Sequence, residues 1–166
     1  NGDFASYMLG YTVVKDDDKG NNWITGEMGI EEYFNEQLSG DIGYITYEKD
    51  RYGYKIANGR EYVEPQDDGN DIYLTIDTNI QMFTEQAMAI LEQSTPEWAS
   101  ISVMNAKTGE ILAIASSPSF DNNTLEIKSY YDPFVANTYE PGSTIKIFSF
   151  MAAMENGMYV GDEKYK

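Results

Sequence analysis

The stretch Tyr139-Glu140-Pro141-Gly142-Ser143-Thr144-Ile145-Lys146-Ile147-Phe148 decides the fold and the chemistry that the sequence predicts. A proline followed by a glycine, at positions 141 and 142, is typical of the start of a helix, and Gly157 is placed to end it. The residues between these ends are apolar on every side of the helix, which is the mark of a buried helix. The sequence therefore predicts a buried helix between Gly142 and Gly157.

Lys146 is the only formal charge between Ser143 and Met154. Burial disfavours the charged form of an amine, and Ser143 projects from the same face about one turn earlier. A hydroxyl at a helix N-terminus beside a neutral amine is an activated nucleophile. In the alternative interpretation Lys146 reaches from a core helix to water and Ser143 merely caps the helix. The helix pattern alone leaves both interpretations open.

The composition excludes several kinds of chemistry. The 166 residues contain no cysteine and no histidine, so disulfides, Ser-His-Asp catalysis and a histidine zinc site are impossible within the chain. Any general base must be Lys, Asp, Glu or Tyr. The formal charge of −17 argues against binding of nucleic acid and of anionic membrane surfaces, which basic patches attract.

Four ordered blocks resemble the class B penicillin-binding proteins, the monofunctional peptidoglycan transpeptidases. These enzymes carry S-x-x-K, S-D-N and K-T-G motifs, and Ser143 is the only serine here with a lysine three residues on. Each block alone is weak, but their order and spacing are specific. They are Gly29-Ile30-Glu31 through Gly40; Tyr47-Glu48-Lys49-Asp50 through Ile56; Leu74-Thr75-Ile76-Asp77 with Gln81; and Lys107 through Ala113 with Pro118-Ser119-Phe120, leading to Pro141 through Lys146.

The resemblance implies an α+β fold: the N-terminal part of a transpeptidase domain, which is serine β-lactamase-like, preceded by a small α+β pedestal segment. We place the pedestal in residues 1–66 and the incomplete transpeptidase domain in residues 67–166. It also implies that Ser143 is the nucleophile and Lys146 the general base of a D,D-transpeptidase that cross-links stem peptides. No metal or organic cofactor is implied.

The resemblance further implies the setting of the protein. Its partners would be peptidoglycan stem peptides, β-lactam antibiotics, a glycosyltransferase and other cell-wall synthesis proteins, with no nucleic acid. Its location would be the extracytoplasmic face of the bacterial cell membrane, held by an N-terminal helix that we expect to lie outside these residues, since no run of eighteen apolar residues occurs in them.

Three matches to catalytic motifs are rejected. Lys107-Thr108-Gly109 precedes the serine and lies at a predicted hairpin turn, Ser119-Phe120-Asp121-Asn122 has an intervening phenylalanine, and we assign Tyr33-Phe34-Asn35 to core packing. The second and third motifs are absent after Lys146. We therefore expect the 166 residues alone to be inactive and the rest of the catalytic domain to lie beyond Lys166 or on another chain.

Three alternatives remain at this level. The first is a serine β-lactamase or β-lactam sensor, although those proteins lack the segment resembled by residues 29–56. The second is a non-catalytic pedestal, in residues 1–66, that docks cell-wall synthesis partners. The third is a structural or toxin-like domain with a chance S-x-x-K.

The remaining patterns predict local elements. The helix from Thr78 is expected to begin with a Thr78–Gln81 capping box and to bury Ile80, Phe83, Ala87, Ile90 and Leu91. The other predicted elements are a strand over 4–14, a polar loop over 15–22 that is not a cation site, an amphipathic helix over 30–38, a hairpin over 43–57, a junction over 65–70, strands over 71–76, 99–105 and 110–116, and a loop over 117–139.

Overall fold

The computed structural model describes residues 2–16, 18, 21–159, 161–162 and 164. Helices and short antiparallel strands alternate along the chain, so the predicted α+β class is confirmed. The chain divides into two compact units, residues 1–135 and residues 136–166. No helix within the described residues has the length and apolar character needed to cross a bilayer.

The first unit is built from short helices and three β-hairpins. The helices are α1 Ser6–Leu9, α2 Gly29–Tyr33, α3 Asn35–Ser39 and α4 Thr78–Glu92, and a short helix α5, Pro133–Ala136, lies where the two units meet in sequence. The strands pair antiparallel as β1 Thr12–Asp16 with β2 Asn22–Gly26, β3 Tyr44–Tyr47 with β4 Glu61–Glu64, and β5 Ala99–Met104 with β6 Ile111–Ser117.

The predicted hairpin over 99–116 is confirmed. The β5–β6 register runs from Ala99 opposite Ser117 to Val103 opposite Ala113. Gly109 has φ of +81° in the connecting turn, a conformation that glycine adopts without steric cost.

Predictions for the N-terminal part are only partly right. The predicted strand over 4–14 is wrong at its start, because Ser6–Leu9 form a helical turn before β1. The predicted helix over 30–38 is interrupted at Phe34 and forms α2 and α3. The predicted loop over 15–22 starts too early, since β1 extends to Asp16, and its residues 17, 19 and 20 lie outside the described residues.

The hairpin predicted over 43–57 is present only at its tip. Lys49 and Lys55 form a bridge around a turn closed by the Gly53 N–H donating to the Asp50 carbonyl at 3.0 Å. Strand β3, however, pairs with β4, beyond the predicted range. The long connection between them places the partner strand outside the reach of a local turn pattern.

Helix α4 begins differently from the prediction. Its N-cap is Asp77, whose Oδ1 accepts from the Asn79 and Ile80 N–H groups at 2.9 and 3.0 Å. The capping box is therefore wrong, because a carboxylate one residue earlier satisfies the free N–H groups. Residues 71–76, predicted as a strand, lie outside any strand. They are nevertheless held to β6, since Thr75 Oγ1 donates to the Ile111 carbonyl at 2.6 Å.

The buried face of α4 is also not the predicted one. Gln81, Thr84 and Met88 are buried against β5 and β6, whereas Phe83 and Ile90 are 67% and 68% exposed. The predicted apolar face includes three further residues, of which Ala87 and Leu91 are exposed and Ile80 is half-buried. Periodicity identifies an apolar stripe but not the surface that covers it. In this chain the sheet contacts the mixed polar side of the helix.

Two small cores hold the first unit together. Met88 packs with Ala99 and Ala115 between α4 and the β5–β6 hairpin. Tyr7 and Phe120 belong to a second cluster with Met28, and their rings lie edge to face with centroids 5.1 Å apart. The second cluster joins the N-terminal residues to the loop after β6, more than one hundred residues later.

Gln81 is fully buried and binds the backbone of β6. Its Oε1 accepts from the Ile114 N–H at 2.8 Å, and its Nε2 donates to the Ile114 carbonyl at 2.6 Å. Both Ile114 groups point away from β5, so the side chain amide occupies the place of a neighbouring strand.

The Gln81→Leu variant is expected to destabilise the full-length protein by about 3 kcal/mol, because two partly buried backbone groups of Ile114 lose their partner. Urea unfolding measures the change. Gln86→Leu is the matched control, since Gln86 is exposed on the same helix. Equal stabilities of the two variants would contradict the assignment.

Candidate active site

The S-x-x-K sequence lies at the start of the helix in the unit formed by residues 136–166. Gly142–Ile145 form a turn of 3₁₀ helix, and α6, Lys146–Glu155, continues from it. The Thr144 N–H donates to the Pro141 carbonyl at 3.2 Å, and the Thr144 hydroxyl donates to the same oxygen. The predicted helix start at Gly142 is confirmed, with its first turn tighter than an α-helix.

The C-terminal end of α6 is also as predicted. Gly157 has φ of +66°, and its N–H donates to the Met154 carbonyl at 3.0 Å. The Met158 N–H donates to the Ala153 carbonyl at 2.8 Å. This pair of hydrogen bonds is the Schellman arrangement, in which a left-handed glycine ends the helix.

The tight first turn brings Ser143 and Lys146 to one side of the helix. Residues three apart are eclipsed in a 3₁₀ turn and lie on neighbouring positions of the same face in an α-helix. Ser143 belongs to this turn and Lys146 is the first residue of α6. Both are exposed. Neither side chain has a hydrogen bond or ion pair with any residue that the structure describes.

The prediction that this helix is buried is wrong for the chain described. Ile147 and Phe148 are each 64% exposed, and the apolar residues around them are exposed as well. Within residues 136–166 the Phe150 and Tyr159 rings meet edge to face, with centroids 5.6 Å apart. A single short helix cannot bury its own surface, and the apolar side chains of α6 are open to solvent among the described residues.

The rejected catalytic motifs lie in structural positions. Lys107-Thr108-Gly109 occupies the β5–β6 turn, where Asn105 Oδ1 accepts from the Lys107 N–H at 3.0 Å. Phe120 is a buried core residue, and Asn122 Nδ2 donates to the Gly10 carbonyl at 3.2 Å.

The assignment of Tyr33-Phe34-Asn35 to core packing is wrong for Tyr33, which is 79% exposed. Its ring rests edge to face on Phe34, with centroids 4.7 Å apart. Asn35 Oδ1 accepts from the Gly26 N–H at 2.7 Å, so this asparagine ties α3 to β2.

A group of polar side chains inside the first unit is not apparent from the sequence. Ser116 Oγ donates to Asp132 Oδ1 at 2.6 Å, and Glu85 Oε1 accepts from the Ala5 N–H at 2.9 Å and from Gln81 Nε2 at 2.6 Å. Burial raises the pKa of Glu85, although both hydrogen bonds oppose the shift. No local pattern reveals the group, because its members are distant in sequence.

This polar group is structural. The cavity that it lines, together with Tyr7 and Ser119, has a volume of about 10 Å³, which is room for no more than one water molecule. Its contacts join the N-terminal residues to α4 and β6. Within the described residues no three His, Cys, Asp or Glu side chains are grouped so as to hold a metal ion.

Two family models match the chain, one after the other. Residues 1–74 match the penicillin-binding protein dimerisation domain, and residues 99–166 match the penicillin-binding protein transpeptidase domain. The second match includes Ser143 and Lys146. The boundary between residues 66 and 67 stays a prediction.

Relatives and a solved structure agree with these matches. The chain is 33% identical to stage V sporulation protein D of Bacillus subtilis over 93% of this chain and 23% of that protein. It is 32% identical to the peptidoglycan D,D-transpeptidase FtsI of Buchnera aphidicola over 84% of this chain and 25% of that protein. It is also 32% identical to the penicillin-binding protein PbpB of Mycolicibacterium smegmatis, over 83% of this chain and 22% of that protein.

The match to a solved structure covers nearly the whole chain. The crystal structure of penicillin-binding protein 2X from Streptococcus thermophilus superposes with a TM-score of 0.81 and 36% identity, over 99% of this chain and 25% of that one. The chain thus spans about a quarter of the length of the curated relatives that it matches. Sequence, domain order and fold agree, and the chain therefore belongs to the class B penicillin-binding proteins, as a dimerisation domain followed by part of a transpeptidase domain.

Proposed function

We propose that the protein is a peptidoglycan D,D-transpeptidase that cross-links stem peptides through an acyl-enzyme on Ser143. The observation that carries the proposal is the position of Ser143 and Lys146 on one side of a helix start, inside the residues that match the transpeptidase domain. The preceding match to a dimerisation domain supports this function over a serine β-lactamase or β-lactam sensor.

The proposed reaction has two halves. Ser143 Oγ attacks the carbonyl carbon of the penultimate D-Ala of a stem peptide, its proton passes to the Lys146 amine, and the terminal D-Ala leaves with a proton on its amine. An amine of a neighbouring stem peptide then attacks the resulting ester and forms the cross-link; this amine loses one of its own protons, which passes through Lys146 to Ser143 Oγ as the ester bond breaks. The Ser143 backbone N–H is proposed as one donor to the developing oxyanion.

As a general base, Lys146 would accept the proton of Ser143 in its neutral form. We propose that other residues of the full-length protein cover α6 and so favour the neutral form. The exposed apolar surface of α6 supports this step, since it is a surface suited to being covered.

The proposal extends to the ligands and the setting of the protein. β-Lactams, whose strained amide resembles the D-Ala-D-Ala bond, acylate the same serine. Glycosyltransferases and other cell-wall synthesis proteins are proposed as partners of the N-terminal residues. The proposed location is the extracytoplasmic face of the bacterial cell membrane.

The test is the site of covalent attachment of penicillin. Intact-mass analysis and peptide mapping of the full-length protein are expected to place one adduct on Ser143, and Ser143→Ala is expected to abolish it. Ser149→Ala is the matched control, since Ser149 lies on the same helix with its hydroxyl donating to the Ile145 carbonyl at 3.3 Å. An adduct on another serine, or labelling that persists in Ser143→Ala, would reject the proposal.

A further inference from the structure

The basic residues of this acidic chain are concentrated at one hairpin. Residues 48–61 contain four of the 11 lysine and arginine residues and only three of the 28 acidic residues, so this segment has a net charge of +1 in a chain of net charge −17. The four cations are Lys49, Arg51, Lys55 and Arg60. A local basic patch on an acidic protein favours an anionic ligand that touches only this place.

Exposed tyrosines alternate with these cations. Tyr52 and Tyr54, at the tip of the hairpin, are 69% and 73% exposed, and Tyr47 and Tyr62 lie on β3 and β4. The Arg51 guanidinium lies 4.6 Å from the centre of the Tyr52 ring. Aromatic rings with a polar group at the edge suit ligands that have both apolar faces and hydroxyl groups.

The arrangement of the lysines is unfavourable for the hairpin alone. Lys49 and Lys55 are directly opposed on the two arms of the hairpin, and like charges in such a pair destabilise a sheet. Both ammonium groups lie 5.4 Å from the centre of the Tyr47 ring. Glu61 pairs with Lys55 at 2.6 Å, whereas Lys49 has no ion pair among the described residues. The Lys49 ammonium held against the Tyr47 ring therefore forms a site for a carboxylate beside a flat apolar surface.

We propose that the face formed by Tyr47, Lys49 and Lys55 binds an uncross-linked peptidoglycan strand. The tyrosine ring contacts a sugar ring, and the Lys49 ammonium group, which has no ion pair among the described residues, pairs with a carboxylate of a stem peptide. This inference rests on the proposed function, because it places a second contact with the same polymer away from Ser143. The site positions the strand and takes no part in the chemistry.

The charges favour a strand over an anionic membrane as the occupant. A membrane is an extended surface, so it meets the field of the whole protein, which has a net charge of −17. A single strand is thin enough to lie within about 10 Å, the distance over which salt screens the surrounding acidic residues. The local positive charge of the hairpin then dominates the interaction.

The test uses the Lys49→Glu variant of the full-length protein. We expect its affinity for fluorescently labelled, uncross-linked peptidoglycan strands, measured by fluorescence anisotropy at low salt, to fall by at least about fivefold, since one ion pair is lost and a repulsion is introduced. The same change places a glutamate opposite Lys55, so the thermal stability should be unchanged or higher. Tyr47→Leu should also weaken binding, and it keeps an apolar side chain in the strand.

Lys107→Glu is the matched control, because Lys107 is an exposed lysine in a different hairpin turn. Unchanged affinity in Lys49→Glu, an equal loss in Lys107→Glu, or binding to phosphatidylglycerol vesicles without binding to strands would each overturn the proposal. Penicillin labelling of Ser143 in the same variants separates the two proposals: full labelling with unchanged strand binding rejects the hairpin site alone.

Discussion

The Lys146→Met variant of the full-length protein is expected to be acylated by penicillin at least about a hundredfold more slowly than the unmodified protein, which is the lower range for the loss of a general base. Methionine keeps the length and the apolar stem of the lysine and removes only the amine. The start of α6 should therefore form as before, because Lys146 makes no side-chain hydrogen bond or ion pair with the described residues.

Stopped-flow mixing with a fluorescent penicillin measures the acylation rate, and the thermal unfolding temperature shows whether the variant is folded. Lys107→Met is the control for loss of an exposed lysine elsewhere. If Lys146→Met keeps both its acylation rate and its melting temperature, Lys146 only extends from the helix to water, and the base must be sought elsewhere.

Residues 1–166 alone are expected to self-associate and to react with penicillin at least about a hundredfold more slowly than the full-length protein, as for loss of an oxyanion donor. Three features give this expectation. The apolar residues of α6 are exposed, β5 pairs only with β6 among the described residues, and no S-x-N or K-T-G follows Lys146 in these residues. Exposed apolar surface and an unpaired strand edge both promote association.

Size-exclusion chromatography with light scattering tests the association, and penicillin labelling tests the reaction. Adding the rest of the transpeptidase domain as a separate polypeptide should suppress the self-association and restore the labelling. Phe148→Glu is a useful companion variant, because it removes exposed apolar surface from α6 without changing Ser143. A stable monomer of residues 1–166 that is labelled as fast as the full-length protein would show that these residues already form the complete site.

Local sequence signals predicted the elements whose ends are set by neighbouring residues. The β5–β6 hairpin follows from alternation around Gly109, and the ends of α6 follow from Gly142 and Gly157. Steric preferences of glycine and proline act within a few residues, so one sequence is enough to read them. The three-residue spacing of S-x-x-K is also a local signal, since it places Ser143 and Lys146 about one turn apart on the same side of a helix.

The predictions that failed depend on distant contacts. Strand β4 pairs with β3 across a long connection. Gln81 is buried because its side chain binds the backbone of Ile114 on β6. The apolar stripe of α4 gave the wrong face for the same reason, since a stripe does not say which surface will cover it. The burial predicted for α6 was wrong as well, since an apolar pattern does not say whether another element covers it.

The hydrogen bonds between Gln81 and Ile114 cover part of the outer edge of β6. An amide that fills the donor and acceptor positions on one side of β6 blocks the pairing of another chain there. The edge of β5 carries no such block among the described residues, so we expect association of this sheet with another strand to occur along β5 rather than at Ile114.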